Sequence, residues 1–102
     1  MSKYTLIILD AAKEDILDLS NTIRFEYKSP ATAVKYLRGL YKEINRLMNN
    51  AEPFPLQTHQ YFLEYGVKVR RLNYKKMTII YTVINSTVYI QRVVPASTIT
   101  GL

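Results

Sequence analysis

The sequence predicts an α+β fold of element order β-α-α-β-β-β, a helical hairpin packed on a twisted, mainly antiparallel sheet. Three observations carry that expectation. An apolar, β-branched run opens the chain; two amphipathic helical stretches meet at Ser29-Pro30; and after Gly66 the apolar period changes from helical to strand-like.

Tyr4-Thr5-Leu6-Ile7-Ile8-Leu9 reads as a buried strand, followed by Asp10 as helix N-cap, with Glu14 and Asp15 where a helix dipole favours acids. Ile16, Leu19, Ile23 and Tyr27 then recur at spacings of three or four, one face of a helix that ends near Lys28. Ser29-Pro30 supplies an N-cap and an N1 proline for a second helix. Its apolar stripe is Ala33, Leu37, Leu40, Tyr41, Ile44, Leu47 and Met48; Lys35, Arg38, Lys42, Glu43 and Arg46 fill the rest of the wheel. Gly39 inside this helix costs about 1 kcal/mol against alanine, which points to close packing of another group there. Two helices joined this tightly pack as an antiparallel hairpin. The two prolines and two asparagines of residues 49–55 make a loop, and the stretch to Gly66 follows neither period, with Tyr61, Phe62 and Tyr65 expected to pack on the body.

Val67 to Leu72, Thr78 to Ile84 and Thr87 to Val94 are three strands, the last two joined by a two-residue turn at Asn85-Ser86. That turn sets a register with Val83 opposite Val88 and Tyr81 opposite Ile90 on one face. Thr82 opposite Tyr89 and Ile80 opposite Gln91 occupy the other.

At 102 residues the expectation is one domain, residues 1–102, large enough for one core. The 48% hydrophobic and 22% charged residues are those of a globular chain. With no cysteine and one histidine, disulfides, thiolate catalysis and Cys/His metal sites drop out, so neither metal nor cofactor is expected. No apolar run nears the roughly 20 residues that span a bilayer, and Met1-Ser2-Lys3-Tyr4 opens no signal peptide, so the reading is a cytoplasmic chain with no membrane partner.

Charge is the first positive clue. The net charge is +6 and is lopsided: residues 1–52 hold eight basic and seven acidic groups, residues 53–102 six basic groups and only Glu64. An anionic partner is implied. The cations gather at Lys68, Arg70, Arg71, Lys75 and Lys76, with Arg92 opposite on the last strand and Tyr74 and Tyr81 between them. That pattern suits phosphate contacts with rings for base stacking, or else a solvated edge kept basic against aggregation. Strand alternation places Lys68 and Arg70 on one face and Arg71 on the other. His59 has no partner at triad spacing and reads as a surface loop histidine; Asp15 and Asp18 read as a solvated helix face. Most of the nine tyrosines suit core or interface positions.

Taken in order, these segments resemble the RelE/ParE toxin superfamily. Ala11-Ala12-Lys13-Glu14-Asp15-Ile16-Leu17 is similar to the opening of its first helix, and Ser29-Pro30-Ala31-Thr32-Ala33 with Leu40, Ile44, Leu47 and Pro53 to its second helix and the proline beyond. Val69-Arg70-Arg71-Leu72, Ile79-Ile80-Tyr81-Thr82-Val83 and Val88-Tyr89-Ile90-Gln91-Arg92-Val93 resemble its C-terminal sheet. The likeness runs from residue 4 to 94. It implies a type II toxin, as in plasmid stabilisation systems, that inhibits growth and pairs with an acidic, partly disordered antitoxin in a toxin–antitoxin hetero-oligomer. The antitoxin is expected over the groove of the hairpin and the open sheet edge.

The superfamily divides by target. The long hairpin and Ser29-Pro30-Ala31 resemble ParE-like members, which poison DNA gyrase. RelE-like members are metal-independent ribonucleases that cut messenger RNA on the ribosome. Here the segment Pro95 to Leu102 has neither the Tyr nor the His that serves them in proton transfer. In a ribonuclease Arg71 and Arg92, with the nearby lysines, would steady the charge on the reacting phosphate, and Tyr81 or Tyr74 would carry the proton. A non-toxic, basic RNA-binding module is the third reading.

Overall fold

In this computed structural model, which describes residues 3–99, the short apolar run after Lys3 forms strand β1 (Thr5–Ile8). It is followed by α1 (Asp10–Tyr27), α2 (Pro30–Arg46), β2 (Val69–Tyr74), β3 (Met77–Ile84) and β4 (Thr87–Pro95). The expectations placed on Met1-Ser2 and on the last three residues of the C-terminal segment lie outside the described residues. No helix is long and apolar enough to cross a membrane among the described residues.

The strands form one sheet in the order β1-β4-β3-β2. β4 is antiparallel to β3, and β3 to β2; β1 joins β4 in parallel, Thr5 opposite Thr87 and Ile8 opposite Ile90. The last strand in sequence is therefore internal to the sheet, and the first lies at its edge.

One face of the sheet receives the helices. Ala12 and Ile16 of α1 and Leu40 and Ile44 of α2 pack with Ile79, Tyr81, Val88 and Ile90, all buried. On the opposite face Phe62, Val69, Ile80, Val94 and Ile99 form a second cluster, flanked by Tyr61 and Tyr65. Covered on both sides, β3 shows an unbroken buried stretch from Met77 to Thr82 rather than the alternation of a half-exposed strand. The stretch after the proline loop, which follows neither period, is a 3-10 helix (Gln60–Tyr65) that presents Phe62 to the second face.

Several local expectations need correction. Asp10 is the first helical residue, not the N-cap; the cap position falls on Leu9, whose amide still donates to the Ile90 carbonyl at 3.1 Å. The strand runs into the helix without a capping residue, and Asp10 lies instead where the helix dipole favours its charge. At the other end Lys28 adopts φ 50° and donates its amide to Arg24 O, closing α1, and the Ser29 side chain accepts from the Thr32 amide at 3.3 Å to open α2. Tyr27 and Tyr41, counted in the apolar stripes, are 62% and 39% exposed. In the β3–β4 pair the register holds from Ile84 to Tyr81, then shifts at a β-bulge, so that Ile80 faces Arg92 rather than Gln91. β2 begins at Val69; Lys68 precedes it with φ 55° and so does not share a strand face with Arg70.

Candidate binding surface

The predicted cations and tyrosines separate into side chains that hold the fold and side chains that face outward. Arg70 lies on the helix-side face of β2, opposite Tyr81. Its guanidinium donates to the carbonyls of Glu52 at 2.6 Å and Phe54 at 2.5 Å, tying the proline loop down. The same loop is fixed by the Tyr81 hydroxyl, which donates to the Ala51 carbonyl at 2.6 Å, and by the Tyr4 hydroxyl on the Glu52 carboxylate. Tyr81 is fully buried, and that burial raises its pKa further above the ordinary phenol value. A proton carrier needs the reverse shift and access to substrate, and Tyr81 has neither.

Arg92 is also committed. Its Nε and Nη2 meet the two carboxylate oxygens of Asp15 at 2.6 and 2.8 Å, a bidentate pair, and Asp15 Oδ2 accepts from the Val93 amide at 2.9 Å as well. The Asp15 carboxylate holds the guanidinium protonated even more firmly than usual. Asp15 is thus a partner of the sheet rather than part of a solvated helix face, its side chain only 14% exposed. The physical reason is topological. β1 ends at Ile8, opposite Ile90, so the β4 edge beyond that point has no strand neighbour, and Asp15 on α1 reaches over to satisfy it. Sequence spacing carried no sign of this contact, since the two residues lie 77 positions apart.

Tyr74 anchors the β2–β3 turn on α2. Its hydroxyl donates to the Tyr36 carbonyl at 3.3 Å and lies where a Cβ on Gly39 would be, at 2.2 Å, which explains the mid-helix glycine. Tyr36 and Tyr74 meet edge to face at 5.2 Å between ring centres. Lys75, at φ 53° in the turn, holds its ammonium 5.2 Å from the Tyr36 ring and 5.6 Å from Tyr74. His59 is half-buried; its Nδ1 accepts from the Tyr61 amide at 3.0 Å and so caps the 3-10 helix rather than facing a site.

What remains is Lys68, Lys75 and Lys76, all exposed, and Arg71, half-buried. Among the described residues the ion pairs are Arg46–Glu43 and Arg92–Asp15, so these four cations are unpaired there. Arg71, opposite Ile80, lies on the sheet face away from the helices, whereas Tyr81 lies on the helix side. The structure therefore brings Arg71 and Arg92 to one face, on either side of Ile80, and leaves Tyr81 on the other. No group of three or more His, Cys, Asp or Glu side chains suited to a metal is found among the described residues.

Comparison with known proteins adds three findings. The family model described as the ParE toxin of the type II toxin–antitoxin system parDE matches residues 6–99. A search of curated proteins gives no significant match. Among solved structures, one described as the chromosomal ParDE TA system from P. aeruginosa superposes with a TM-score of 0.75, at 15% sequence identity, over 91% of this chain and 96% of that one. At that identity the likeness speaks to the fold.

Proposed function

The chain belongs to the ParE toxin family of type II toxin–antitoxin systems, and on that premise we propose that it arrests growth by binding DNA gyrase rather than by cutting RNA. The observation that carries the choice is that the ribonuclease candidates do not converge: Arg71 and Arg92 flank Ile80 on one face of the sheet, Arg92 is paired with Asp15, and Tyr81 is buried on the other face. Groups that stabilise a reacting phosphate act only when they converge on it. The unpaired cations Lys68, Arg71 and Lys76 instead form a contact surface for a larger partner, on the half of the sequence that holds nearly all of the net positive charge.

The same positive field favours an acidic partner, and an antitoxin is the partner that the name of the P. aeruginosa system carries for that protein. β1 is the edge to which such a segment would add as a strand: it has a sheet neighbour on one side only, and Thr5 and Ile7 are exposed.

Pulse-labelling of DNA, RNA and protein synthesis just after induction, without antitoxin, tests the target. DNA synthesis should stop first. Protein synthesis stopping first, with cleaved transcripts, would overturn the gyrase reading in favour of a ribosome-dependent nuclease; growth without arrest, with folded protein present, would leave a basic RNA-binding module.

A further inference from the structure

Between α1, α2 and the β2–β3 turn lies an open groove of about 620 Å³. Leu19, Ile23 and Met77 give it an apolar lining, and Tyr27 and Tyr36 contribute rings. The cations Lys35, Lys75 and Lys76 line it too, all exposed and none ion-paired among the described residues. Lys75 is already held in place over the Tyr36 and Tyr74 rings, so part of the ordering cost of binding an anion is met in the free protein. The one carboxylate in the lining is Glu26.

The neighbouring cavity limits what can lie here. It has about 360 Å³, shares Leu19, Thr22 and Met77 with the groove, and carries Asp15 and Asp18 with an Arg92 that Asp15 already neutralises. The unpaired cations of the groove, Lys35 on α2 and Lys75 and Lys76 in the β2–β3 turn, are therefore absent from the lining of the neighbouring cavity. A nucleic-acid strand or a long acidic helix laid along both cavities would run from lysines into carboxylates. A short ligand with its charge at one end and a flat apolar body at the other meets no such conflict. The volume falls within the range of small-ligand sites.

We propose that this groove binds a nucleoside di- or triphosphate. Lys35, Lys75 and Lys76 contact the phosphates, the base lies against the tyrosine rings and the apolar lining, and Glu26 accepts a hydrogen bond from a ribose hydroxyl or an exocyclic amine. The site shares Lys76 with the contact surface proposed above but not Lys68 or Arg71, and it does not depend on which target the toxin has.

Calorimetric titration of the purified chain with ATP, ADP, adenosine, inorganic tripolyphosphate and polyglutamate tests it. ATP or ADP should bind saturably, adenosine and tripolyphosphate each at least about tenfold more weakly, since each lacks half of the recognition. Lys75→Glu/Lys76→Glu should weaken ATP binding by about tenfold or more, while Lys13→Glu and Lys42→Glu, elsewhere on the helices, leave it within about twofold. Tyr27→Ala, at an exposed ring that the fold does not need, should weaken ATP and leave tripolyphosphate unchanged. Circular dichroism checks that each variant is folded. Absence of ATP and ADP binding at millimolar concentration overturns the proposal. So does tripolyphosphate or polyglutamate binding as tightly as ATP, or equal losses from the Lys13 and Lys42 variants.

Discussion

A methyl group on Gly39 would stand 2.2 Å from the Tyr74 hydroxyl and 3.0 Å from the ring carbon that bears it. In an isolated helix Gly39→Ala would gain about 1 kcal/mol; here it should lose about 1–3 kcal/mol through overpacking, read as a lower urea midpoint. Tyr74→Phe removes the nearest atom, so the double variant should be more stable than the sum of the single changes predicts. The glycine was legible as a sign of close packing, but its partner was not, because propensity reveals a cost and not the group that imposes it. Arg70 and Arg71 show the same limit. Neighbours in sequence and alike in charge, they do different work: Arg70 binds two loop carbonyls on the helix side of the sheet, and Arg71 lies half-buried on its other face. Arg70→Ala should cost about 1.5–3 kcal/mol of stability, whereas Arg71→Ala should stay within about 0.5 kcal/mol and reduce toxicity. A toxic, fully stable Arg71→Ala protein would remove that residue from the contact surface.

At the scale of elements, helix periodicity and turn chemistry located α1, α2 and the three C-terminal strands to within a few residues, because apolar spacing and the Ser29-Pro30 junction act locally. The bulge in β4 was not legible: Gln91 and Arg92 are both polar and neither marks the extra residue, while the Asp15 carboxylate that meets the β4 edge just beyond it comes from a distant helix. That contact joins α1 to β4 through one carboxylate accepting three hydrogen bonds. Asp15→Ala should therefore destabilise more than Arg92→Ala, by about 2 kcal/mol in a denaturant titration, since it strands a backbone amide as well as a guanidinium. Equal losses would mean that the amide finds water at no cost.

For the whole molecule, α+β class, element order and positive charge were legible, whereas the functional surface was not. Charge counts treat every cation alike, and only the packed chain decides which are spent internally. Ionisation gives a global check. Burial raises the pKa of Tyr81, and burial first, then the hydrogen bond with Tyr61, raises that of Tyr65. Below about pH 10 these phenols are neutral in both folded and unfolded chains. Above it the unfolded chain loses their protons first, so stability should fall as pH rises beyond about 10. The part of the tyrosinate absorbance that Tyr81 and Tyr65 contribute should then appear together with unfolding rather than before it.

The position of β4 sets an order in time. Residues 87–95 are made after the other three strands and both helices, yet they pair with both β1 and β3 and supply Val88, Ile90 and Val93 to the main core. Until they leave the ribosome, β1 has no neighbour and the helices have half a floor. A nascent chain that stops before Thr87 is an incomplete body with no assembled surface to present. The assembled sheet comes into being in one step, when β4 enters between its two neighbours.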